Sequence, residues 1–154
     1  MAVKILVADD HEIVREGIRR LVAKSGRPWE ICAEARSGKE AVEMIKTLKP
    51  DIAILDITMP EMSGLQAARQ VADLNTGCRV LVFTMHESGL LDAEARESGA
   101  QGFVLKSQAA RDLIRAIDSL LSGGTFYGAP PSTEKSKDEK KDRNLLLCAG
   151  FALA

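Results

Sequence analysis

The chain has 154 residues, 45% hydrophobic and 28% charged, which suits one globular domain with its own core and leaves little room for a second. Its 21 Lys and Arg against 22 Asp and Glu give a formal charge of -1, which excludes a globally basic nucleic-acid binder while allowing a local basic patch. Cys32, Cys78 and Cys148 lack metal-ligand spacing and fit a reducing compartment, no signal peptide or membrane-length apolar run is present, and the expected location is cytoplasmic.

Short apolar runs alternate with helix-period segments up to about residue 122, the pattern of βαβ units and a parallel sheet. VKILVA at 3–8 predicts a strand, followed by a helix over 11–24. A second strand over 29–35 leads to Ser37 and Glu40, spaced as a capping box, and a helix over 39–48. The third strand, 51–55, precedes a helix over 64–74 with Ser63 as its cap, and the fourth strand is 79–83. The helix expected at 88–98 is the weak one. Its apolar positions Leu90, Leu91, Ala93 and Ala95 make a poor 3.6-residue stripe, so it is expected to be mobile or shifted. The fifth strand is 102–105, and Ser107 is placed to cap a helix over 109–121. After Gly123-Gly124 the composition turns to GAPPSTEKSKDEKKDRN, which cannot bury enough apolar area to fold. Two parts are therefore expected: a domain at 1–122 and a linker or tail at 123–154. The final LLLCAGFALA is too short to span a bilayer and is given no function.

The strand ends carry the functional signal. Strand one ends at Asp9 and Asp10, strand three at Asp56, strand four at Thr84 and strand five at Lys106. In an open parallel sheet, ligands bind outside the carboxyl ends of the strands, so these residues converge on the functional edge. Three carboxylates can hold a hard divalent cation such as Mg²⁺, whose charge offsets their mutual repulsion. A lysine and a hydroxyl can meet phosphoryl oxygens. Singly, each residue has a plainer reading: Asp9 and Asp10 as a helix cap and first-turn acid, Asp56 as a turn residue, Lys106 as a surface lysine, Thr84 as a strand residue and Phe103 as core. Their joint placement favours phosphoryl-transfer chemistry.

VADDH, LDITMPEMSG, FTMH and GAQGFVLK together resemble the receiver domain of bacterial two-component response regulators, over roughly residues 1–122. DITMP, TMH and LIRAI…LLSGGTFY further resemble regulators with a LuxR-type helix-turn-helix output domain, which the residues after 122 are too few to form. The resemblance implies a flavodoxin-like (βα)5 doubly wound α/β fold, a five-stranded parallel sheet in the order 2-1-3-4-5. It implies that Asp56 is the phosphoacceptor, that Asp9, Asp10, Asp56 and the Thr58 carbonyl hold Mg²⁺, and that Lys106 pairs with the phosphoryl group. Thr84 would reorient to hydrogen-bond it, and Phe103 would turn inward as Thr84 moves. Met85, His86 and Thr58 would line the access route, with Pro60 and Gly64 shaping the loop after Asp56. The donor would be a sensor histidine kinase or a phosphotransfer protein. The chain would be a switch that catalyses its own phosphorylation and dephosphorylation, without binding DNA or membrane itself, and phosphorylation-driven homodimerisation is left open. The rivals are a DNA-binding regulator reduced to its receiver part and an aspartyl-phosphate hydrolase. The second rival is disfavoured because Thr58 stands where such enzymes place a general acid.

Overall fold

The computed structural model describes residues 2–85 and 91–127. The expected alternation is present: β1 Val3–Ala8, α1 Glu12–Lys24, β2 Trp29–Ala35, α2 Gly38–Leu48, β3 Ile52–Asp56, α3 Gly64–Leu74, β4 Arg79–Thr84, α4 Leu91–Glu97, β5 Gly102–Leu105, α5 Ala109–Leu121 and a further strand, β6 Phe126–Tyr127. All neighbouring strands pair in parallel, in the order β2-β1-β3-β4-β5-β6. The first five follow the expected order, and the sixth is an addition. It extends β5 because Gly102 has no Cβ to meet the Phe126 carbonyl oxygen, and because the Tyr127 hydroxyl donates to the Ala100 carbonyl at 2.8 Å. A two-residue strand behind a glycine pair has no periodicity to read.

The central strands are apolar through their buried stretches because helices cover both faces of the sheet. Leu6, Ala8, Ala53, Leu55, Val80 and Val82 face α2, α3 and α4. Ile5, Val7, Ile52, Ile54, Leu81, Phe83 and Val104 face α1 and α5. Fully burying a side chain such as Leu55 or Ile54 contributes about 1.5–3 kcal/mol, so this two-sided core holds the strand ends in fixed positions.

Helix entry is set by local chemistry. Ser63 Oγ accepts from the Gln66 amide at 3.2 Å while Gln66 Oε1 accepts from the Ser63 amide at 3.0 Å, a complete capping box for α3. Ser37 Oγ accepts from the Glu40 amide at 3.1 Å, but the Glu40 carboxylate takes the Arg36 amide, one residue earlier than a strict box. Ser107 does not cap α5. Residues Lys106–Gln108 form a 3-10 turn, and Gln108 precedes the helix without a side-chain cap. The weak fourth helix is described over Leu91–Glu97, and the expected positions 88–90 lie outside the described residues. So do the positions of the expected tail from 128 onward. Cys32 and Cys78 are free thiols, and Cys148 lies outside the described residues.

Candidate functional site

Period-two alternation explains why the charged groups meet. Val7, Ile54 and Val104 face α1 and α5, so Asp9, Asp56 and Lys106, each two residues further on, leave their strands toward the same side. The Lys106 ammonium lies 2.7 Å from Asp9 Oδ2 and 3.3 Å from Asp56 Oδ1, and passes 5.9 Å from the centre of the Phe83 ring. Asp9 and Asp56 are buried, whereas Asp10 and His11 are exposed at the rim. The His11 amide donates to Asp9 Oδ1 at 2.8 Å, and its Nδ1 lies 3.0 Å from that oxygen and 3.1 Å from Asp10 Oδ1. A cavity of about 150 Å³ opens over this floor, lined by His11, Asp56, Thr58, Met85 and Lys106.

The loop leaving Asp56 is held tightly. A Cβ on Gly64 would run into the Asp56 carbonyl oxygen, so only glycine lets α3 begin this close to the end of β3. Glu61 sits at φ 70°, with the Met62 amide donating to the Pro60 carbonyl at 2.7 Å, a tight left-handed turn that is costly for a residue with a side chain. Burial, and then the neighbouring Asp9 carboxylate, push the Asp56 carboxyl above its ordinary value; Lys106 and the Thr58 amide act against that rise without cancelling it.

The donor set fits a hard divalent cation. One ligand atom each from Asp9, Asp10, His11 and Asp56 lies within 4.8 Å of the others. Asp9 Oδ2 is fully buried, and no donor among the described residues is aligned on it as a hydrogen bond. The Lys106 ammonium, 2.7 Å away, offsets its charge, and a hard cation suits the same buried carboxylate.

The other expected residues fall on the opposite side of the sheet. Thr84 is buried at the end of β4, in register with Leu105, and Phe103 is in register with Val82. Val82 faces α2 to α4, so alternation puts Thr84 and Phe103 on that face together. Phe103 is half-buried, its ring 6.4 Å from that of Tyr127, which in turn lies under the Arg96 guanidinium at 3.9 Å. Met85 is exposed at the cavity mouth, and His86 lies outside the described residues. Sequence reasoning missed Arg15 and Glu34, which pair behind the acid turn. The signal was there: Arg15 shares the buried stripe of α1 with Ile18 and Val22, where a charge needs a reason.

Residues 5–118 match the response regulator receiver domain family. The chain belongs to that family. It is 33% identical over 143 residues to the transcriptional regulatory protein LnrK of Bacillus subtilis, covering 93% of this chain and 64% of that protein. It is 37% identical over 123 residues to the transcriptional regulatory protein YdfI of the same species, covering 80% and 57%. The receiver thus spans between half and two thirds of the length of these relatives. Among solved structures, a LuxR-family two-component response regulator from Aurantimonas sp. superposes with a TM-score of 0.76 at 36% identity, over 82% of this chain and 89% of that one. The signal receiver domain of NarL from Mycobacterium tuberculosis superposes with a TM-score of 0.75 at 35% identity, over 79% and 98%. Among the described residues no helix is long and apolar enough to cross a membrane.

Proposed function

We propose that this receiver takes a phosphoryl group onto Asp56 from a sensor histidine kinase or phosphotransfer protein, in a Mg²⁺-dependent reaction, and passes the change to its surface through Thr84 and Phe103. The observation that carries the reading is the convergence of Asp9, Asp10 and Asp56 beside the Lys106 ammonium at the carboxyl edge of the sheet. The Asp9, Asp10 and Asp56 carboxylates and the Thr58 carbonyl would hold the ion. When bound, it supplies charge neutralisation for the incoming phosphoryl oxygens.

The chain's own residues do the rest. An Asp56 carboxylate oxygen forms the new bond to phosphorus while the bond from phosphorus to the donor's nitrogen or oxygen breaks, its electron pair leaving with the donor. Burial makes that carboxylate more basic and so a better nucleophile. Lys106 exchanges its two acid contacts for the phosphoryl oxygens, and Thr84 donates its hydroxyl to one of them. Phe103, on the face it shares with Thr84, then fills the space Thr84 leaves, a population shift biased by the new contacts.

Residues 1–122 are read as the receiver and 123–154 as a linker or tail, of which Phe126–Tyr127 adds the sixth strand to the receiver's sheet. The names of the relatives favour membership in a transcriptional regulator, read here as cytoplasmic. The chain is a phosphoacceptor switch and not a turnover enzyme, and at net charge -1 it is expected to leave duplex DNA to a partner region. Acetyl phosphate tests the chemistry. In Mg²⁺ the intact mass should rise by about 80 Da, a phosphoryl group replacing a proton, and EDTA or Asp56→Asn should abolish the gain. Labelling that ignores Mg²⁺, or that survives Asp56→Asn at the parental rate, sinks the proposal.

A further inference from the structure

Arg15 is a buried cation on the apolar stripe of a helix, a costly placement unless its donors are used. Two of them are. Nε donates to Glu34 Oε1 on β2 at 2.8 Å, and a terminal nitrogen donates to the Asp9 carbonyl oxygen at 2.6 Å. The second Glu34 oxygen accepts from Arg19 at 2.5 Å, which holds the carboxylate for Arg15. Burial alone would raise the Glu34 carboxyl, but the hydrogen bonds from Arg19 and Arg15 outweigh it and hold the group below its ordinary value.

The Asp9 carbonyl belongs to the peptide that joins Asp9 to Asp10. On its other side the Asp9 amide donates to the Ala35 carbonyl at 3.0 Å. The strand end is thus fixed by β2 before Asp9 and by Arg15 after it. Rotation of the Asp9–Asp10 peptide would swing the Asp10 carboxylate away from Asp56, and the Arg15 contact opposes that rotation. Arg15 forms no ion pair with Asp9, Asp10 or Asp56 among the described contacts, so it acts on them through the backbone.

We propose that Arg15, backed by Glu34, is a positioning residue of the acid pocket, holding the Asp9–Asp10 peptide so that both carboxylates face Asp56 at chelating separation. The inference rests on the metal reading given above. An arginine suits the task because its planar fork reaches a carbonyl and a carboxylate at once, which a lysine ammonium on a flexible stem does not.

Mg²⁺ titration followed by calorimetry, together with the Mg²⁺ dependence of labelling by acetyl phosphate, tests this. Arg15→Met should raise the Mg²⁺ dissociation constant about tenfold, the size expected when a partner behind a metal ligand is lost. At saturating Mg²⁺ its maximal labelling rate should stay within about twofold of the parent, because the metal, once bound, restores the carboxylate geometry. Arg15→Lys should fall between parent and Arg15→Met. Glu34→Gln should move the constant in the same direction by a smaller factor, and it carries the test if Arg15→Met fails to fold. Val22→Ala, on the same helix stripe but away from Asp9, should lower the melting temperature and leave Mg²⁺ affinity unchanged. Parental Mg²⁺ affinity in both Arg15→Met and Glu34→Gln, or an equal loss in Val22→Ala, overturns the positioning role while the metal reading survives. A parent chain that binds no Mg²⁺ overturns both.

Discussion

The two sides of the sheet's carboxyl edge are built differently. On one side, Asp9, Asp56 and Lys106 stand on strands covered by α1 and α5, which bury Ile18, Val22, Leu113, Ala116, Ile117 and Leu120 against them. On the other, Thr84 and Phe103 lie near α4, whose described residues bury Leu91 and Ala95, and near β6. Phe103 and Tyr127 are both half-buried, with one guanidinium over the outer ring. Charged groups that must meet within a few ångströms sit on the α1 and α5 side, where the packed core makes displacement expensive. The groups proposed to move lie on the other face, where Phe103 is only half-buried.

Variants can separate the two sides. The largest effect should come from Lys106→Met, which removes the ammonium facing the incoming phosphoryl oxygens and should slow labelling by about 100-fold, the cost of losing one such stabilising donor. Thr84→Ala should label within a few-fold of the parent, while the Phe103 ring resonances no longer shift when Asp56 is phosphorylated. A Thr84→Ala chain that fails to label would place Thr84 with the chemistry and erase the distinction.

Packing gives a second contrast. Leu113→Ala in α5 should cost about 3–4 kcal/mol in denaturant unfolding, and Leu91→Ala in α4 about 2 kcal/mol, because α4 buries Leu91 and Ala95 where α5 buries five residues, and so can shift further to close the cavity. Equal losses would mean that α4 is as well supported as α5.

A smaller difference separates two acids on the α1 and α5 side. The Asp56 carboxyl is raised above 3.8 by burial and by Asp9, so its contribution to stability is fully present below that pH and is lost as pH rises through the folded value. Asp56→Asn should therefore be more stable than the parent at neutral pH without Mg²⁺, with the gain vanishing in acid. Glu34 has the opposite sign. Its carboxyl is held below 4.5, so its stabilisation is present above that pH and is lost as pH falls through the folded value. Glu34→Gln should be less stable at neutral pH and converge on the parent in acid. Unfolding midpoints measured across pH in EDTA would show both, and slopes of the same sign would contradict the assignment of Asp56 to function and Glu34 to support.

Much of this was legible in the sequence because the same rule writes both strand and site. A strand buried on both faces is an apolar run, so its end is marked by the first polar residue, and Asp9, Asp56, Thr84 and Lys106 are those residues. What escaped depends on contacts between distant segments. Ser107 has the chemistry of a cap, but the 3-10 turn at Lys106–Gln108 moves the helix start past it. Phe126 and Tyr127 become a strand only because Gly102 admits them. Arg15 resembles any arginine of a charged helix until Glu34 and the Asp9 carbonyl are seen beside it.

The short sixth strand also bears on how the molecule behaves in company. Without it, β5 would offer its open hydrogen-bonding groups to any passing chain. With it, Gly102 and Phe103 are paired, which leaves Val104 and Leu105 as the open stretch of β5, too short to template a foreign strand. The opposite rim, β2, carries Glu30 and Glu34 and skips Cys32 in its pairing with β1, where Ile5 faces Ile31 and Leu6 faces Ala33. Charge and an irregular register blunt that rim as brevity blunts the other, so the sheet should resist edge-to-edge aggregation even at high concentration.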